Sequence, residues 1–130
     1  MLKRIENRLG TIDIERPAAA KVIKEVVMHH GEVFGITNSK GNRSSFISKF
    51  AFDKSSDFII IKKDRNDNID IEVNLILYFG VSISEVSESI IRQSRDNLMN
   101  CLGIEVSTFT IHIVGMKSRK IIERDIYVRG

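Results

Sequence analysis

From Ile69 to Phe79 apolar side chains alternate with others without a break. Ile69, Ile71, Val73, Leu75, Leu77 and Phe79 fall on one side, with Asp70, Glu72 and Asn74 between them. A period of two is the mark of a strand with one face in a core. Just before it, Phe58 to Lys63 forms a second apolar run, and Asp64-Arg65-Asn66-Asp67-Asn68 between them is made of turn-forming residues. Two strand patterns joined by such a turn predict a hairpin.

Two segments change to the helical period. After Pro17, Ala19, Val22, Ile23, Val26 and Val27 recur at helical spacing, and Gly31 supplies the stop. Proline fits the start of a helix because its missing N–H would have no partner there. The second helix opens on a capping box, Ser82-Ile83-Ser84-Glu85. It carries Ile83, Val86, Ile90, Leu98 and Leu102 along one stripe and ends at Gly103. Its opposite face holds Glu88, Arg92, Arg95 and Asp96.

Shorter strands are predicted at Thr11 to Ile14, at Val33 to Thr37, and at Phe109 to Ile113, the last ending near Gly115. Phe46, Ser48, Phe50 and Phe52 alternate with Ile47, Lys49 and Ala51, which reads as a strand with an aromatic face. The order strand, helix, strands, hairpin, helix, strand predicts an α+β fold. We expect a two-layer sandwich, with two amphipathic helices packed on one face of a mainly antiparallel sheet. The other face, with Asp70, Glu72, Asn74, Thr110 and His112, is expected to meet water. Residues 1–9 read as an N-terminal extension, 10–116 as the domain, and 117–130 as a basic tail that forms an edge strand or stays mobile.

The chain has 130 residues, 42% hydrophobic and 28% charged, which is globular composition in one domain's length. The single Cys101 excludes an intramolecular disulfide and reads as a packed or partly buried thiol. The basic start, Met1 to Arg8, has no apolar stretch behind it, and no apolar run reaches the ~18 residues needed to span a bilayer. A cytoplasmic location follows as the expectation, with any membrane association made through a partner rather than by direct insertion.

The net charge of +3 is mild, but its distribution marks a candidate partner- or anion-binding surface. Its members are Arg43, Lys49, Lys62 and Lys63 in the middle of the chain, and Arg92 and Arg95 on the second helix. Basic residues interleaved with Phe46, Phe50 and Phe52 could also stack bases and hold phosphates. Alternation, however, puts the phenylalanines on one face and Lys49 on the other, which favours core packing.

Catalytic signals are weak throughout. His29 and His30 are neighbours, so on a helix they point about 100° apart and do not make a metal pair. Asp70 and Glu72 share a strand face in the way solvent-facing acids do. No glycine-rich phosphate loop and no serine at a strand-to-helix elbow is present. We therefore expect no enzyme, no cofactor and no metal.

Three passages resemble the alkaline shock protein family of bacterial envelope-stress proteins. Ile71 to Val86 looks like its strand-glycine-helix passage, Leu98 to Val106 like its second helix end, and Thr110 to Met116 like its closing strand. Gly10 to Ile14 and Val33 to Ile36 are weaker echoes, so the resemblance spans roughly residues 10 to 116. Gly80, Ser82, Glu85, Gly103 and Gly115 match the family pattern and read physically as turn and cap residues. The basic segment Asn38 to Asp57 and the basic tail depart from it.

The resemblance implies a cytoplasmic, non-enzymatic scaffold of low-GC Gram-positive bacteria and their wall-less relatives, linked to envelope homeostasis or stress. It would act through a protein partner, such as a membrane protein, or through self-association. The alternative is a small basic RNA- or ribosome-associated domain.

Overall fold

The structure, a computed structural model of the chain, describes residues 1–37 and 58–118 and the backbone of 47–48. Seven strands and two helices are described. They run β1 (Lys3–Asn7), β2 (Gly10–Ile14), α1 (Arg16–His29), β3 (Val33–Thr37), β4 (Ile47–Ser48), β5 (Ile60–Lys63), β6 (Ile69–Tyr78), α2 (Ile83–Leu102) and β7 (Thr108–Lys117). The fold is the expected α+β class.

Strand β6 organises the main sheet. β7 runs parallel to it from Asp70 to Tyr78 and takes one edge. The other edge is shared end to end by two antiparallel partners, β5 against Ile69 to Glu72 and β3 against Asn74 to Leu77. β4 pairs with the far side of β3. A parallel neighbour needs a long crossover, and α2 is that crossover.

Ile69, Ile71, Val73, Leu75 and Leu77 all point into the core. Over them lie Ala19, Ala20, Ile23, Val26 and Val27 of α1 and Val86, Ile90 and Leu98 of α2, and the two helices pack on each other. The stripe on α2 has four-residue spacing, 86, 90, 94 and 98, so Ser94 lies fully buried among aliphatic neighbours. Its hydroxyl finds no partner.

The β5–β6 hairpin forms as predicted, with Lys63 opposite Ile69. Asp64 holds its turn by accepting from the backbone N–H groups of Asn66 and Asn68 and from the Asn68 side chain. The turn puts Asp67 at φ 65°. The caps of α2 also form. Ser82 Oγ accepts from the N–H of Glu85 at 3.4 Å, and Gly103 takes the left-handed conformation at φ 67°.

Several expectations need correction. Residues 3–7 are no loose extension: they pair with 10–14 as a hairpin, and Leu2 is buried in the core. Phe79 lies beyond the end of β6 and is 63% exposed, and Ile83 at the first turn of α2 is also exposed. Periodicity simply outran the elements there.

Gly115 is not a turn, because β7 continues to Lys117 after a bulge that leaves Val114 extra opposite Leu75 and Ile76. On the outer face Asn74 and its register partner Thr37 are buried rather than wet. Cys101 is exposed, not packed. The aromatic strand around Phe46, Phe50 and Phe52 and the tail beyond Ser118 lie outside the described residues.

Candidate interaction surface

Of the six cations singled out from the sequence, the four described ones do not come together. Arg43 and Lys49 lie outside the described residues. Lys62 is exposed on the outer face of β5, opposite Asp70. Lys63, one residue on, points the other way, as strand geometry demands, and pairs with Asp67 at 3.4 Å. Arg92 is exposed on α2. Arg95 is not a free surface charge: its Nη1 donates to the Val106 carbonyl at 2.6 Å, tying α2 to the connection that leads into β7.

One cavity, about 450 Å3, sits at the start of β6 and is lined by residues that include Lys3, Arg4, Lys63, Asn68 and Ser107. Its cations are already engaged. Lys3 Nζ donates to the Gly103 carbonyl at 2.6 Å, Arg4 chelates Asp13 at 2.7 and 3.1 Å, and Lys63 holds Asp67. The hydrogen bond from Arg4 keeps the Asp13 carboxyl below the usual carboxylate range.

At the other end of β6 a smaller cavity, about 240 Å3, is lined by His30, Glu32, Val81, Ser82, Glu85, Val86 and Ser89. His30 Nδ1 lies 2.9 Å from the Val26 carbonyl and so carries the proton there. That leaves Nε2, 3.1 Å from Ser89 Oγ, to accept from the serine hydroxyl. Ser89 in turn accepts from Gln93 Nε2 at 3.2 Å. Both roles of the hydroxyl are used, and the network ties the end of α1 to α2. His29 makes a similar bond to the Glu25 carbonyl at 2.6 Å. Among the described residues no group of three histidine, cysteine or acidic side chains is placed to hold a metal.

The remaining feature is the outer side of β7. Among the described residues no strand pairs with its far edge. Along β7 Val114 and Met116 are exposed; Phe79, also exposed, lies on the β6 side, its N–H donating to the Lys117 carbonyl at 2.8 Å. Behind them Phe34 and Tyr78 meet edge to face at 5.6 Å, with Lys117 Nζ 5.6 Å from the Phe34 ring centre. This edge was not anticipated from the sequence, although the ten-residue run Thr108 to Lys117, with only one formal charge and no proline, carries the signal.

A small two-layer α+β domain with buried polar ties and a sheet edge unpaired among the described residues is the class that the geometry defines. The chain belongs to the alkaline shock protein family, whose described role is a cell envelope-related function; the family match covers residues 4–118. It therefore takes in most of β1, which the resemblance from residue 10 onward leaves out. The chain is 30% identical over 113 residues to the uncharacterized Bacillus subtilis protein YqhY, covering 86% of this chain and 81% of that one. It is 24% identical over 123 residues to the uncharacterized protein Spy1614 of Streptococcus pyogenes serotype M6, covering 90% and 96%. No solved structure gives a significant match. Among the described residues no helix is long and apolar enough to cross a membrane.

Proposed function

We propose that this protein is a non-enzymatic interaction or scaffold protein serving the cell envelope from the cytoplasm, and that it engages a protein partner along β7. The observation that carries this reading is the outer edge of β7, a row of backbone N–H and C=O groups without a strand partner among the described residues. Such an edge adds an extended segment from another chain as a further strand, main-chain bonds giving affinity and flanking side chains giving selectivity. Val114 and Met116 supply the apolar flank. A membrane-embedded partner would bring the domain to the envelope. The RNA-associated alternative has less support, because Lys63 and Arg95 are engaged within the fold and Lys62 and Arg92 lie on different elements.

The test is capture from native lysate with and without nuclease, comparing the wild type with Val114→Lys/Met116→Lys. A partner retained after nuclease and lost in the β7 variant is the expected result. Partners lost to nuclease but kept by the β7 variant would overturn the reading.

A further inference from the structure

β7 is an edge in its side chains as well as in its backbone. On the other side of β6 the inward neighbours, Val33 and Ile36 of β3 and Ile61 of β5, are all buried. The inward residues of β7 are covered only at its start. Phe109 is 8% exposed, but Ile111 and Ile113, opposite Val73 and Leu75, are half-buried, and Met116, opposite Leu77, is 44% exposed. The helix layer stops short of this strand, and one more strand would complete both the pairing and the cover.

The chain carries a segment of that kind directly after the edge. β7 ends at Lys117, and the family match ends at residue 118. Residues 119–130 lie outside the described residues, and their sequence alternates: Ile122, Arg124, Ile126 and Val128, with Glu123, Asp125 and Tyr127 between them. A period of two, β-branched residues and no proline are strand chemistry.

We infer that residues 121–128 pair with β7 as an antiparallel edge strand, and that a partner adding to this edge must first displace them. A turn of three residues, Ser118 to Lys120, is a common hairpin length. Val114 stays unopposed on this side as it does against β6. That turn then sets Ile122 beside Met116, Arg124 beside Ile113, Ile126 beside Ile111 and Val128 beside Phe109. Each half-covered inward position gains a neighbour, and the stem of Arg124 lies over Ile113 while its head reaches water. Asp125 and Tyr127 fall on the outer face, next to His112 and Thr110.

The consequence rests on the β7 reading: tail and partner compete for one edge. Because the tail is tethered, it competes at an effective concentration of about millimolar. A tail seated about nine-tenths of the time lowers the apparent affinity for the partner about tenfold.

Hydrogen exchange of the full-length protein, read by NMR, tests the contact. Every second β7 amide points away from β6, and in the wild type these should exchange well below their intrinsic rates. Ile126→Lys/Val128→Lys puts two charges into the inward row and should speed them at least about tenfold. The amides bonded to β6 should keep their rates, which shows that the fold is intact. Tyr127→Lys, on the outer face, should leave all of them slow. A synthetic peptide of residues 119–130, added at about 5 mM to the double-lysine variant, should slow the outward amides again. The same peptide carrying both lysines should not. In capture from nuclease-treated lysate, the double-lysine variant should retain about tenfold more partner than the wild type at limiting protein.

Outward amides that exchange freely in the wild type overturn the inference, and so do slow amides released by Tyr127→Lys but not by Ile126→Lys/Val128→Lys. If they exchange freely while capture is still lost in Val114→Lys/Met116→Lys, the tail contact falls and the β7 reading stands. If release follows the expected pattern but capture neither rises nor responds to Val114→Lys/Met116→Lys, the β7 reading fails and the tail strand stays. Capture that depends on β7 yet does not rise when the tail is released refutes the competition.

Discussion

Leu75→Ala probes the arrangement on which the rest of the fold depends. Leu75 is fully buried at the middle of β6, with Ile36 of β3 opposite on one side and Ile113 of β7 on the other. The substitution removes three carbons, about 2.4 kcal/mol of transfer free energy at ~0.8 kcal/mol per methylene. Leu75 itself sits on a strand paired along both edges, so the site relaxes little, and the cavity term brings the total to about 3–4 kcal/mol.

A domain with roughly 5–15 kcal/mol of stability would keep its fold but lose a large share of its margin. At about 3–5 °C per kcal/mol for a chain of this size, its melting temperature should fall by about 10–15 °C. The assay is thermal and urea unfolding followed by circular dichroism, with Ile76→Ala as the control. Ile76 is half-buried on the outer face opposite Gly115, and its truncation should cost about 1 kcal/mol. If Ile76→Ala proves the more damaging of the two, the strand is turned over and the register assigned to β6 is wrong.

Four further outcomes are expected. Ser82→Ala should cost about 0.5–2 kcal/mol in urea unfolding, through loss of the bond from the Glu85 N–H, without loss of partner capture. Ser94→Ala should be neutral or stabilising by about 1 kcal/mol, because it deletes a buried hydroxyl that has no partner; a clear loss of stability would reveal a bond to that hydroxyl. The Asp64 carboxyl is held below its usual value first by the Asn68 backbone N–H, then by the Asn68 side chain and the Asn66 N–H. A depressed carboxyl favours the fold above its unfolded value and loses that contribution as pH falls through the folded one. Protection of the Asn66 and Asn68 amides, taken relative to their intrinsic exchange rates, should therefore fall under acid conditions, and Asp64→Ala should flatten that dependence. In titrations against single-stranded RNA at two salt concentrations, no micromolar binding is expected at physiological salt. Micromolar affinity abolished by reversing Lys49, Lys62 and Lys63, with a log–log slope near −0.7 per phosphate, would promote the RNA-associated reading instead.

Most of the fold was legible because its signals are local. Strict alternation gave the inward face of β6 from Ile69 to Leu77, and Ser82 and Gly103 gave the caps of α2. What failed was what local patterns do not encode. Alternation continues through Phe79 although the strand stops at Tyr78, because a period says nothing about where pairing ends. It is equally silent on direction, so the parallel run of β7 beside β6 had to come from the strand-helix-strand order. The first hairpin was missed because β1 reads Lys-Arg-Ile-Glu-Asn, with Ile5 its lone apolar residue; the Asn7 to Gly10 turn was its only other mark.

The candidate surface was less legible, and the reason lies in pairing rather than in charge. Lys62 and Lys63 look like one basic spot in sequence, yet adjacent strand residues point to opposite faces, and Lys63 is taken by Asp67. Arg95 sits among exposed helix positions by period, but its guanidinium reaches the Val106 carbonyl, and diverting it to a partner would unmake the entry into β7. Lys63 and Arg95 would each have to leave a bond inside the fold to make one outside, and an exposed ion pair gains too little to offset that. A local excess of lysine and arginine in sequence is therefore a weak pointer to an interface in this chain, because the fold itself takes up two of the cations that make the excess.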